Sequence, residues 1–258
     1  MKNGQTSLDN HILFVIQILS YASFPFMCAY ASFNEWVVAA VMCFLTYYIG
    51  IAITFHRLLT HNSFSTGPIT KVIMTLFGSL ATNGSSLYWV ALHTTHHKYS
   101  DSDRDVHSPR YGFWKTWFMP MYPQSPVDST KLALRLAKEP LQLFLHKYYW
   151  LVIGVYVVGL YLIDPFAVVY AYLFPVMFSW IVSAGIVNTL CHKLGYRNYE
   201  TKDQSTNIRW MSWITGGESF HNNHHAKPSS ANFGSATEYD LSYTIIKILA
   251  KCKLAILK

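Results

Sequence analysis

Residues 36–61 read WVVAAVMCFLTYYIGIAITFHRLLTH: a charge-free run from Trp36 to His56 that ends in His56-Arg57-Leu58-Leu59-Thr60-His61. As a helix rising about 1.5 Å per residue, the run can cross the roughly 30 Å of a bilayer's hydrocarbon core. The two histidines sit where the first charge, Arg57, appears. A span that delivers imidazoles to the membrane boundary predicts a membrane protein with chemistry at that boundary.

Working outward, a second charge-free run precedes this one at 11–34, and two more follow at 148–163 and 165–187, separated by Asp164 as in a tight helical hairpin. Pro175 inside the last run is tolerable in a membrane helix, where neighbours satisfy the freed carbonyl. The apolar segment 72–92 is interrupted by Asn83, Gly84, Ser85 and Ser86 and reads as a helix lying in or dipping into the interface. The first run lacks the basic flank and small-residue cleavage site of a signal peptide. The predicted fold is therefore an all-α integral membrane protein. It has four transmembrane helices, at 11–34, 36–56, 148–163 and 165–187, and a cytosolic helical cap built from 57–147 and 188–258, in a single domain over 1–258.

Charge supports that topology. Of the 20 Lys and Arg, Lys2 stands alone, ten lie between Arg57 and Lys147 and nine between Lys193 and Lys258, whereas the opposite-side loops offer only Glu35 and Asp164. Positive charge marks the cytoplasmic side, so both termini and both long segments face the cytoplasm. Overall, 52% hydrophobic and 13% charged residues, against about 25% charged in soluble domains, exclude a disordered chain, a coiled coil and a nucleic-acid-binding protein despite the net +7. Four cysteines without a C-x-x-C exclude a disulfide scaffold and a zinc ribbon. Turn chemistry stands at Ser108-Pro109 and 120–126, and residues 130–138 and 241–257 alternate apolar and basic at helical spacing, fitting interfacial helices or ordinary solvated ones.

The histidines carry the function. Of twelve, nine fall in four groups: His56 and His61; His93, His96 and His97; His192; His221, His224 and His225. All four groups lie on one predicted side of the membrane. On a helix, positions i, i+3 and i+4 share a face, so each H-x-x-H-H is expected to aim three imidazoles at one point. The H-x-x-x-x-H pair is turned by roughly 140° in helix geometry, so that helix end must bend. A zinc site is filled by three or four ligands; nine imidazoles fit two metals at four to five each. Imidazole alone does not choose between iron, copper, nickel and zinc. Carboxylate di-iron bundles need paired Glu-x-x-His motifs, and only Glu218-Ser219-Phe220-His221 has that form. An all-histidine site opening toward acyl chains suggests oxidation of an unactivated C–H bond, which needs iron and O2. His11, His107 and His146 are taken as interfacial or supporting residues.

The chain resembles the membrane fatty acyl desaturases, in particular the Δ9 group that includes stearoyl-CoA desaturases and short bacterial members. The matching residues are His56-Arg57 to His61 with Ser63-Phe64, Trp89 to His97, Asp105 to Pro109 with Gly112-Phe113-Trp114, Asn188 to His192 with Gly195-Tyr196-Arg197, and Gly217-Glu218 to His225. The resemblance covers roughly residues 36–240, and Asn188 to His192 narrows it to the Δ9 group. It implies two iron ions held by the nine histidines, with Asn188 reaching one of them through water, and an acyl substrate in a kinked tunnel. The expected reaction is O2-dependent introduction of a cis double bond. It also implies a bacterial plasma membrane rather than the endoplasmic reticulum.

Two departures leave the acyl carrier open. Members acting on acyl-CoA carry charged residues at the second box, where this chain has Ala91-Leu92 and Thr94, and many have Arg after the first box, where Asn62 stands. Acyl-lipid, acyl-CoA and acyl carrier protein are the candidates. No fused electron-carrier domain is seen, so electrons are expected from a separate acidic protein such as ferredoxin or cytochrome b5, steered by the basic cytoplasmic segments. The resemblance places Trp89, Phe44 and Tyr48 along the tunnel, with Tyr48, eight residues before His56, shortening it toward 16-carbon rather than 18-carbon chains. The alternatives are a hydroxylase or acetylenase on the same scaffold, told apart by product analysis, and a membrane zinc hydrolase or metal transporter. A transporter would want polar residues in its spans, which these spans lack.

Overall fold

The computed structural model describes residues 7–118, 133–235 and 237–258. Helix α1 (Ser7–Tyr30) is followed by helix α2 (Phe33–Thr60). The break between them falls at Ala31–Ser32, earlier than the charge pattern suggests. Ser32 accepts a hydrogen bond from the Glu35 amide, and the Glu35 carboxylate accepts one from the Ser32 amide at 2.5 Å. Glu35 therefore belongs to the first turn of α2, not to the loop. This is the S-x-x-E capping box, which satisfies two orphan donors at a helix start.

From Phe44 to Thr60, α2 is wound wider than an α-helix, with i→i+5 bonds. Thr54 and Thr60 hydroxyls donate to Ile49 and Phe55 carbonyls in the same register. Helix α3 (Pro68–Leu80) then runs back along α2, so close that a Cβ on Gly50 would lie 2.4 Å from the Gly78 amide nitrogen. A turn at 81–85 reverses the chain into α4 (Ser86–Tyr99). The segment expected as one interrupted helix at 72–92 is thus a helical hairpin. Its polar tip is buried among partners: Thr82 bonds Tyr172 at 3.1 Å, Asn83 accepts from Ser179 at 3.2 Å, and Ser85 bonds His146 at 2.6 Å. Such backbone is tolerated at membrane depth only when protein surrounds it.

Beyond a 3₁₀ turn at Pro109–Tyr111 come α5 (Phe113–Phe118) and a single turn, α6 (Leu134–Ala137). The turn expected at 120–126 lies outside the described residues. So does the start of the helix expected at 130–138, of which the described part holds only α6. Helices α7 (Pro140–Lys147) and α8 (Tyr149–Ile163) meet at 66°, and α9 (Val168–His192) runs unbroken to its last histidine. Three helices, Leu8–Tyr30, Phe33–Thr60 and Val168–His192, are long and apolar enough to cross a membrane, and the bent pair α7–α8 is the fourth candidate.

The remaining residues are mostly short pieces: α10 (Ser212–Thr215), α11 (His221–Ala226) and α12 (Leu241–Lys251), capped by Asp240. The amphipathic helix expected to run to 257 ends at 251. Strand β2 (Ala255–Leu257) pairs antiparallel with β1 (Phe64–Thr66), Ser65 opposite Ile256. The fold is therefore mostly helical with one two-stranded ribbon, not all-α. One apolar cluster packs Tyr47, Ile51 and Phe55 of α2 against Val182 and Ile186 of α9; another joins Tyr149 and Ile153 of α8 to Tyr172, Val176 and Trp180.

Candidate metal centre

Four elements bring the nine histidines together: the end of α2, α4, the end of α9, and α11. They form two adjacent clusters. His56, His61, His93, His97 and His224 make one; His96, His192, His221 and His225 make the other, and within each cluster the ligand atoms lie within 4.8 Å of one another. The expectation that each H-x-x-H-H converges on one point needs correction. On α4, His93 and His97 enter the five-histidine cluster while His96 enters the other; on α11, His221 and His225 enter the four-histidine cluster while His224 crosses over. Helical geometry explains the division, because i and i+4 lie about 40° apart whereas i+3 and i+4 lie about 100° apart. The widened end of α2 resolves the first box: the His61 amide bonds the His56 carbonyl, i→i+5, and the two rings sit 4.9 Å apart.

Nε2 atoms face one another at 2.9 Å for His56–His224 and His93–His97, 2.8 Å for His97–His224 and 3.0 Å for His192–His221. Two imidazole nitrogens bound at about 2.1 Å and at right angles to one ion would be roughly 3.0 Å apart; a tetrahedral pair would be nearer 3.4 Å. His224 Nε2 faces two other Nε2 atoms, more than one ring N–H can satisfy. The Nε2 atoms of His61, His96 and His225 are buried with no hydrogen-bond partner among the described residues. Converging lone pairs and orphaned nitrogens fit two metal ions.

The opposite ring nitrogens are held by carboxylates. Nδ1 of His96 bonds Asp105, Nδ1 of His192 bonds Asp101 and Nδ1 of His225 bonds Asp203, each at 2.9 Å; Nδ1 of His56 bonds Glu218. Such partners place the proton on Nδ1 and leave Nε2 as the ligand atom. Burial would raise the Asp105 and Asp203 carboxyls, but the paired imidazoles hold both well below the carboxylate range. Burial, with neighbouring imidazoles, lowers His61, His93, His97, His221 and His224, and burial pushes His225 down to about 4. These rings are neutral at physiological pH, the form that binds metal.

A cavity opens below the clusters. His56, His93, Asn188 and Glu218 stand at its head, and Tyr47, Ile51, Trp89, Trp180 and Val187 along its walls. Asn188 is thus on the cavity side of α9, one turn before His192. Trp89 stacks on the His93 ring at 4.8 Å. Phe44 and Tyr48 are not among its lining residues. Phe44 is 40% exposed, and the Tyr48 hydroxyl donates to the Ile214 carbonyl at 2.8 Å. The neighbouring Tyr47, one position or about 100° round the helix, lines the cavity instead. His107 lines the cavity near His96, and His146 binds Ser85, the cap of α4.

Sequence reasoning did not find the partners Asp101, Asp105, Asp203 and Glu218 in their roles. The available signal was the set of acidic residues just beyond the second box, Asp101 and Asp105, and just before the third, Glu218, since metal-bound histidine usually has an anionic neighbour; Asp203 lies near neither box.

Comparison with known proteins agrees with this geometry. The family described as Fatty acid desaturase matches residues 34–233. The chain is 35% identical over 243 residues to an sn-1 stearoyl-lipid 9-desaturase of Anabaena variabilis, covering 92% of this chain and 88% of that one. It is 32% identical to an sn-2 palmitoyl-lipid 9-desaturase of Nostoc (86% and 82% covered) and 32% identical to an icosanoyl-CoA 5-desaturase of Limnanthes douglasii (96% of this chain and 71% of that one). Two histidine pockets at the head of a cavity between apolar helices, with this match, make the chain a member of the fatty acid desaturase family.

Proposed function

We propose that the protein is a membrane-bound acyl-lipid Δ9 desaturase with two iron ions. The five-histidine cluster would hold one and the four-histidine cluster the other, with Asn188 approaching the latter through water. The observation that carries the reading is the pair of all-histidine pockets at the head of the Tyr47–Trp180 cavity. Zinc has no redox chemistry, so the desaturation that the family match implies favours iron at these histidines.

Bound iron would supply the O2-dependent oxidation that removes two hydrogens from adjacent carbons; overall, O2, the two substrate hydrogens, two external electrons and two protons leave as two waters. The chain's own residues do the rest. Asp101, Asp105, Asp203 and Glu218 hold Nδ1–H and keep Nε2 available. Tyr47, Ile51, Trp89 and Trp180 exclude water and fix which carbons lie under His56 and His93. The α7–α8 pair is read as the fourth, bent span, which puts both termini and the basic cap on the cytoplasmic side, facing a separate acidic electron carrier. Lipid as the acyl carrier follows the names of the two cyanobacterial relatives and the uncharged second box.

The test is expression in a host without its own desaturase, followed by fatty acid profiling and mass-spectrometric location of the double bond. A new cis-9 unsaturated chain esterified in membrane lipid is the expected product. Membrane-integrated, iron-loaded protein that yields only saturated chains, or a hydroxylated one, refutes the reading.

A further inference from the structure

The geometry points to two metal positions that are unequal by construction: Asp101, Asp105 and Asp203 make the four-histidine position the tighter one, which fills first. The inference rests on the two-metal reading above.

Three of the four imidazoles in that cluster donate Nδ1–H to an aspartate at 2.9 Å. Each aspartate is itself built in. Asp105 accepts the amides of Asp101 at 2.8 Å and His107 at 3.0 Å. Asp101, held in the left-handed region at φ 59, accepts the Gln204 amide at 2.8 Å as well as His192. Asp203 accepts the Ser205 amide at 2.9 Å. In the five-histidine cluster, His56 alone, among the described residues, has such a partner, Glu218. That carboxylate is shared with Arg57, whose Nη2 donates to it at 2.9 Å, and Arg57 is fully buried.

The local charge is therefore three aspartates around one position; beside the other stand two carboxylates, Glu218 and Asp240, with Arg57 between them, a net of one negative charge. Loss of a carboxylate partner typically costs about 10–100-fold in metal affinity. Two more partners at the four-histidine position outweigh the fifth imidazole at the other, because that neutral ligand brings no charge to meet a cation's. Asp101, Asp105 and Asp203 are positioning residues: they touch the ligands, not the substrate.

The experiment uses full-length protein in detergent, stripped by chelator and reloaded without oxygen with ⁵⁷Fe(II) at one and two equivalents, read by Mössbauer spectroscopy. One quadrupole doublet should dominate at one equivalent, and a second should grow only with the next. His61→Ala should keep the first doublet and His221→Ala should lose it. In Asp203→Asn, iron should leave the first-filled position for a chelator about 10–100-fold faster, with the other position unchanged. Asp103→Asn, at a side chain 93% exposed, is the control and should match wild type. Doublets growing in parallel, a first doublet abolished by His61→Ala, or an unchanged release rate in Asp203→Asn would each overturn the inference. Protein that binds no iron overturns the desaturase reading instead; active protein with parallel filling overturns only this one.

Discussion

Gly50→Ala is the change most directly sized by the structure. The added Cβ would stand 2.4 Å from the Gly78 nitrogen, 2.5 Å from its Cα and 2.7 Å from the Phe77 carbonyl carbon. All three are backbone atoms, so no side chain can swing aside. Ordinary carbon contacts lie at about 3.5–4.0 Å, so α3 must retreat from α2 by roughly 1 Å. Helix α4 follows α3 through the buried turn at 81–85 and carries His93, His96 and His97. Overpacking of this kind costs about 1–3 kcal/mol, and a misplacement near 1 Å costs about 100-fold in rate. Turnover should fall by about two orders of magnitude, with a lower melting temperature and less bound iron. Gly154→Ala and Gly159→Ala, where a Cβ meets nothing within 4 Å, should leave all three unchanged. The assay is fatty acid profiling in the desaturase-deficient host at matched expression, beside melting and iron content of purified protein. Near-normal turnover in Gly50→Ala would refute the idea that the hairpin's seat on α2 sets the ligand positions.

Replacing any of the nine histidines with alanine should abolish product formation and reduce bound iron; a variant with normal turnover removes that residue from the ligand set. Glu218→Gln removes the carboxylate charge shared by His56 and Arg57, leaving Arg57 its second partner Asp240, and should destabilise the protein by about 1–3 kcal/mol, read by thermal melting; an unchanged melt refutes the network. Tyr47→Ala should shift products toward longer chains, since Tyr47 lines the cavity, whereas Tyr48→Ala, which loses the bond to Ile214, should melt lower with the same product profile. In metal-free protein His225 titrates near 4 when folded and near 6.5 unfolded. The unfolded chain binds more protons between those values, so this group's contribution to stability should fall as pH drops through that window; identical melts at pH 5 and 7.5 would refute this.

The apolar runs and histidine boxes were readable because both are local patterns: a span needs only consecutive uncharged residues, and a box only fixed spacing. The Ser32–Glu35 cap was equally local, yet the charge of Glu35 suggested a loop. What spacing cannot show is three-dimensional convergence. His96 and His97 are neighbours in the chain but point about 100° apart, so their assignment to different clusters depends on how α4 and α11 face each other. The wider winding of α2, which turns His61 back toward His56, leaves no compositional mark. Asp101 and Asp203 reach His192 and His225 from loops whose paths only tertiary packing fixes. The β-pairing of Ala255–Leu257 was hidden because three residues after a basic helix read as its continuation.

That pairing sets a timetable for biogenesis. Strand β2 lies beside β1, just beyond the first histidine box, and Lys258 donates to the Asn62 carbonyl across 196 positions of chain. At roughly 5–20 residues per second of synthesis, the box emerges and waits on the order of 10–40 s before its flanking strand exists. During that interval the three other imidazole-bearing segments appear one after another at a membrane surface in a cell that contains free divalent metals. The ribbon can close only once translation has passed Ala255–Leu257, so a nascent chain that captures a metal early does so without that frame.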